Sequence, residues 1–179
     1  MALIRLNNQS LTNVTALPSG IDTGAVLQVV QTVKTDTFSH STNTFTGITG
    51  LSAQITPSST SSKILVRANI VVSNTNTNGY GTIALYRDGS VISGAVGDAA
   101  GSRLQGTTSV PLVNPNNHAR HLIIDYLDSP ASTSQLTYQP YIRKGAETVT
   151  LVINQTGADA DSANHTRSIS TITLMEIAG

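Results

Sequence analysis

The side chains best suited to acid–base or metal chemistry in this 179-residue chain are four histidines and ten carboxylates; cysteine is absent. His118 and His121 stand three apart, a spacing that suits metal ligation on a helix. They follow an Asn-Pro-Asn-Asn stretch and lead into an apolar run that reads as a strand, where positions three apart face opposite sides. A solvated strand entry is expected there, not a metal. Asp159 and Asp161 bring oxygens close together, but their loop lacks the further glycine and closing glutamate of an EF-hand, so a polar loop is the expectation. Asp125 and Asp128 are the two acids that glycoside hydrolysis would need across a sugar. They fit equally well an outward strand position and a turn before Pro130, since aspartate commonly starts turns. No Gly-x-Ser-x-Gly elbow occurs, and no spacing selects His40, His118, His121 or His165 as a base. The glycines from Gly94 to Gly101 are not followed by the Gly-Lys-Ser/Thr of a phosphate loop. The expectation is therefore a chain that is not an enzyme, with no catalytic, cofactor-binding or metal-ligating residues and no cofactor.

Whatever these residues do, strands must position them. The apolar set is dominated by Val, Ile, Leu and Ala, with no Trp and two Phe, and β-branched side chains favour pleated, half-buried surfaces over helices. Residues 63–72 show this most clearly, with Ile64, Val66, Ala68, Ile70 and Val72 at period two on one face and Lys63, Arg67 and Asn69 on the other. Residues 80–86 and 90–93 flank Asp88 and Gly89, the pair that readily takes positive φ in a tight hairpin. Residues 26–33, 44–48, 52–56, 121–127, 134–143, 148–154 and 168–177 complete the alternation, and a strand near residues 107–113 interrupts a glycine-rich middle. Roughly ten strands are expected, little helix, and no internal repeat. Pro140 lacks an N–H donor, which places its strand at an edge or gives it a bulge.

The length suits one core. The fold expected is all-β, a two-sheet β-sandwich of jelly-roll type over residues 25–179, with a short extended N-terminal arm over residues 1–24 that can pack only against something else. Charged residues make up 11% of the chain and balance to a net charge of zero, against roughly 25% in an ordinary globular domain. The basic residues are scattered singly, so nucleic acid and anionic membrane are not expected partners. The first ten residues break after six into polar types, too short for a secretory or membrane-spanning segment, and export by that route is not expected. A neutral surface rich in Thr, Ser and Asn repels its own copies weakly, which suits self-association.

Several stretches carry a resemblance: Val26-Leu-Gln-Val-Val-Gln31, Asp36-Thr-Phe-Ser39, Ile55-Thr-Pro-Ser-Ser-Thr-Ser-Ser-Lys-Ile-Leu-Val66, Gly97-Asp-Ala-Ala-Gly-Ser-Arg103, Asp125-Tyr-Leu-Asp-Ser-Pro130 and the closing residues 170–179. Together they resemble the small fibre or virion structural proteins of marine cyanophages and related tailed phages, and the order of strands is similar at fold level to the trimeric jelly-roll modules of the C1q and tumour necrosis factor type. The resemblance implies a virion component assembled in the host cytoplasm, a homotrimer anchored to other virion proteins through the arm. As a tail-associated appendage it would attach to the host surface, touching host-surface glycan through loops around residues 74–79, 94–103 and 154–165. The alternatives are a capsid decoration or cement protein and, from another class, a glycan depolymerase resting on Asp125 and Asp128.

Overall fold

The computed structural model describes residues 24–76, 79–110, 117–145 and 148–179. The arm over residues 1–24 lies outside this description but for Gly24, and so do residues 111–113 of the strand expected near residues 107–113, whose earlier part is a strand at Thr108–Val110. Twelve strands run through the described residues: β1 (Val26–Lys34), β2 (Phe38–His40), β3 (Thr46–Gly47), β4 (Ala53–Ile55), β5 (Lys63–Asn74), β6 (Gly81–Arg87), β7 (Ser90–Val91), β8 (Thr108–Val110), β9 (Arg120–Asp128), β10 (Leu136–Lys144), β11 (Leu151–Ile153) and β12 (Ser170–Ile177). One 3-10 turn, Ser93–Ala95, is the helical element among them.

The strands form two antiparallel sheets of four strand positions each. In the first, β5 lies between β9 on one edge and, on the other, β12 and β11 placed end to end. Beyond that pair lie β1, on β12, and β2, on β11. In the second, β10 lies between β6 and the end-to-end pair β4 and β3, while β7 and β8 share the far edge of β6. Successive positions mostly alternate between the sheets, which is a jelly-roll arrangement, and four of the eight positions are interrupted strands. The expected two-sheet sandwich is the fold observed.

Period-two alternation decides which side chains fill the space between the sheets. Ile64, Val66, Ala68, Ile70 and Val72 of β5 are all buried, as their spacing predicts, and they meet Ile83 and Leu85 of β6, Tyr138 and Ile142 of β10, and Ile172 and Leu174 of β12 in a single core. Branched aliphatic side chains dominate this core, and burying each one contributes roughly 1.5–3 kcal/mol.

Polar side chains splice the interruptions. Where β11 stops and β12 begins, Asn154 adopts a left-handed backbone (φ 63°) and its N–H donates to Val71 O. Its carboxamide nitrogen donates to the carbonyls of Lys34 and Asp36, both 2.9 Å away, where β1 gives way to β2. Its side-chain oxygen accepts from the Ser170 hydroxyl at 2.6 Å, and that hydroxyl accepts from Val71 N. One buried amide thus ties two adjacent breaks to the central strand.

Pro140 departs from the first of its two expected placements, a sheet edge. Its strand, β10, is interior and not an edge. Pro140 O accepts from Ile48 N in the segment between β3 and β4, so its backbone polar side faces the interruption in the neighbouring position, where no ladder partner goes unsatisfied for want of the N–H. The Asp88–Gly89 hairpin forms as read: both residues have positive φ (50° and 77°) and Arg87 pairs with Ser90 across them.

Candidate functional site

The acids singled out for glycoside hydrolysis are placed apart by β9. Asp125 points out of the first sheet and pairs with Arg67 at 2.8 Å. Asp128 points between the sheets, where it accepts from the Tyr138 hydroxyl at 2.7 Å and from the Arg87 guanidinium. Burial raises the Tyr138 hydroxyl pKa well above the ordinary tyrosine value, and the Asp128 hydrogen bond and charge add to the rise. Burial pulls the Arg87 pKa down, but the hydrogen bonds and charges of Asp128 and Tyr138 together outweigh it and leave a net rise. The geometry suits an anchor for a core tyrosine, with the sheet itself between the two carboxylates.

Of the remaining sequence candidates, Asp161 is exposed, and the others have local partners. His121 faces outward and bonds Asn69 Oδ1 at 2.9 Å, while His118 offers its carbonyl to the Ser73 hydroxyl. Asp159 is ion-paired with Arg167 at 2.7 Å. The buried His40 ring bonds Thr42 O, and His165 meets the Thr156 hydroxyl. Among the described residues no three His, Cys, Asp or Glu side chains gather as a metal set.

The registers build a more informative surface on the outside of the first sheet. One row across all four strands is Val29, Met175, Leu65 and Leu127. The next is Gln31, Thr173, Arg67 and Asp125, knitted by the Gln31–Thr173 hydrogen bond and the Arg67–Asp125 pair. The third is Val33, Thr171, Asn69 and Ile123. Ile123 is 66% exposed and Val29 57%, and a shallow concavity of about 530 Å³ opens between them over Arg67 and Asn69. A strand with apolar side chains on both faces, as in β9 with Leu122 and Ile124 inward and Ile123 and Leu127 outward, is the sequence signal for such a surface; read as a single alternating run it goes unnoticed.

The second sheet turns a different outer face to solvent. Tyr86 of β6 and Tyr141 of β10 stack with ring centres 3.8 Å apart and planes 13° from parallel, and Phe45 leans on Tyr86 at 6.1 Å. Burial, then the neighbouring Tyr141, raises the Tyr86 hydroxyl pKa. Beside this cluster, residues 102–105 form the far wall of a groove of about 330 Å³. Residues 94–103, expected to make outward contacts, supply part of that wall; the described residues of 74–79 and residues 154–165 do not line it.

Fold and surfaces together define an all-β jelly-roll sandwich with two differently built outer faces. No family model matches the chain, and no curated protein does. Solved structures similar to it include the T=1 particles derived from infectious bursal virus and a mutant VP2 protein of infectious bursal disease virus in derived T=1 particles, both proteins of virus particles. Each is 12% identical with a TM-score of 0.43, over 84% of this chain and 36% of the other. The chain thus spans little more than a third of the length of these structures.

Proposed function

We propose that this chain is a structural, non-catalytic component of a tailed-phage particle, a homotrimer that buries the outer face of its first sheet against its own copies. The observation that carries this reading is the apolar row Val29, Met175, Leu65 and Leu127, with Ile123 and Val33 two rows on. Exposed apolar surface of this extent marks an interface more often than it marks bare surface. The charges on the face favour a copy of the chain as its occupant: Arg67 and Asp125 neutralise each other within the face, so an identical face meets no net repulsion. The neutral, polar remainder of the chain and the resemblance to small phage fibre proteins support the virion setting.

In this reading the N-terminal arm binds other virion proteins, and the second sheet and its loops face the host surface. Sedimentation equilibrium of the purified full chain tests the assembly. An oligomer that Ile123→Lys with Leu127→Lys dissociates supports it. A protomer that stays monomeric at all concentrations contradicts it, and favours the use of the same face against a capsid protein, as a decoration protein would.

A further inference from the structure

The chain has five tyrosines and two phenylalanines, and three of these seven, Phe45, Tyr86 and Tyr141, gather on the outer face of the second sheet, where the core has no need of them. The core itself is built almost wholly from aliphatic side chains, with Tyr138 as its one fully buried aromatic. The Tyr86–Tyr141 stack holds both rings in a fixed orientation before any ligand arrives. Across the groove stand Ser102, Arg103 and Gln105, and the apolar Val91 and Leu104 complete its rim at 46% and 47% exposed.

The chemistry of the two walls is complementary in kind. Aromatic faces carry partial negative charge and present an apolar surface, which suits the C–H face of a sugar ring. The opposite wall supplies hydroxyl and amide groups for sugar hydroxyls. Gln105 is held by its side-chain nitrogen on Gly97 O at 2.7 Å, which leaves its carboxamide oxygen as an acceptor. Arg103 is the one ionisable group with Lys, Arg, Asp, Glu or His character lining the groove. It spends a single N–H on Ala100 O at 3.2 Å, and a guanidinium has five donors in a fork that fits a carboxylate. At about 330 Å³ the groove lies at the lower end of small-ligand sites, which run from about 300 to 1,000 Å³. That suits one or two sugar rings.

We infer that this groove binds a saccharide bearing a carboxylate, with the ring packed against the Tyr86 cluster and the acid on Arg103. The inference rests on the host-surface role proposed above for its biological meaning, and it adds the ligand class and the residues. The groove is on the opposite side of the sandwich from the proposed assembly face, so every copy in an oligomer presents it, and weak single contacts multiply.

The test is calorimetric titration of the full chain with three acidic probes, oligogalacturonate, oligoglucuronate and a sialyl oligosaccharide, beside neutral maltotetraose. Binding of at least one acidic probe is expected, with maltotetraose weaker by about tenfold or more, since the charge-assisted contact is missing. Arg103→Ala, on an exposed loop, should weaken the acidic probe by a similar factor, and Tyr86→Ala likewise; Leu104→Asp tests the groove should Tyr86→Ala fail to fold. Binding by none of the acidic probes, or binding that Arg103→Ala leaves unchanged, overturns the inference. Sedimentation of the same samples reads the assembly separately, so an oligomer that binds no sugar fails here alone.

Discussion

Asn154 sits where two interrupted strands lie side by side, and its carboxamide bonds to backbone on one and to Ser170 on the other. Asn154→Ala would leave the carbonyls of the buried Lys34 and the exposed Asp36 without this donor, at a cost of about 1–3 kcal/mol; urea unfolding of the variant measures it. Glu176 is another buried polar anchor. Burial pushes its carboxyl upward, but hydrogen bonds from Ser58 at 2.6–2.7 Å and from Gln28 at 2.6 Å prevail and hold it at about 2. A folded pKa below the unfolded one contributes stability that is fully present above the ordinary carboxylate value of 4.5 and lost as the pH falls toward about 2. Glu176→Gln should therefore be less stable than wild type at neutral pH, and the difference should shrink across that window. A difference that stays constant from neutral pH to about 2 would show that the carboxylate charge contributes nothing. Neither residue was legible as an anchor from sequence: Asn154 reads as the end of an apolar run and Glu176 as one polar residue in the closing strand, because the partners that satisfy them come from segments up to 148 positions away.

At the scale of elements, local pattern and non-local geometry divide the fold between them. The inward face of β5 and the Asp88–Gly89 turn were legible because period-two alternation and positive-φ residues act within a few residues. Gly89 has open space where a Cβ would stand and a φ of 77°, so the cost of Gly89→Val is conformational alone, about 1–2 kcal/mol; thermal unfolding should show the loss, while Gly97→Ala, in open space at ordinary φ, should show almost none. The end-to-end strand pairs were not legible. Their breaks are fixed by which neighbour each half meets, as for β11 and β12 along β5, and nothing in the separate runs says that they share an edge. Pro140 shows the same limit: its missing donor restricts the strand to a place without a ladder partner, and an interruption in the adjacent position meets that requirement as well as a sheet edge does.

At the scale of the whole molecule, the two outer faces of one sandwich differ in what they offer. The first sheet presents aliphatic rows crossed by an internally neutralised ion pair; the second presents stacked aromatics beside an arginine. The sandwich, the absence of cysteine and the low charge were readable from composition and alternation, whereas the faces emerge only when the registers align Val29 with Met175, Leu65 and Leu127. The central claim is that the aliphatic face is covered by identical copies. Sedimentation equilibrium across a hundredfold range of concentration tests it most directly, since about 1.4 kcal/mol per tenfold step makes even a modest association visible. The account predicts a trimer that dissociates on dilution or on Ile123→Lys with Leu127→Lys. A monomer at every concentration, with thermal stability that does not change with dilution, would contradict it.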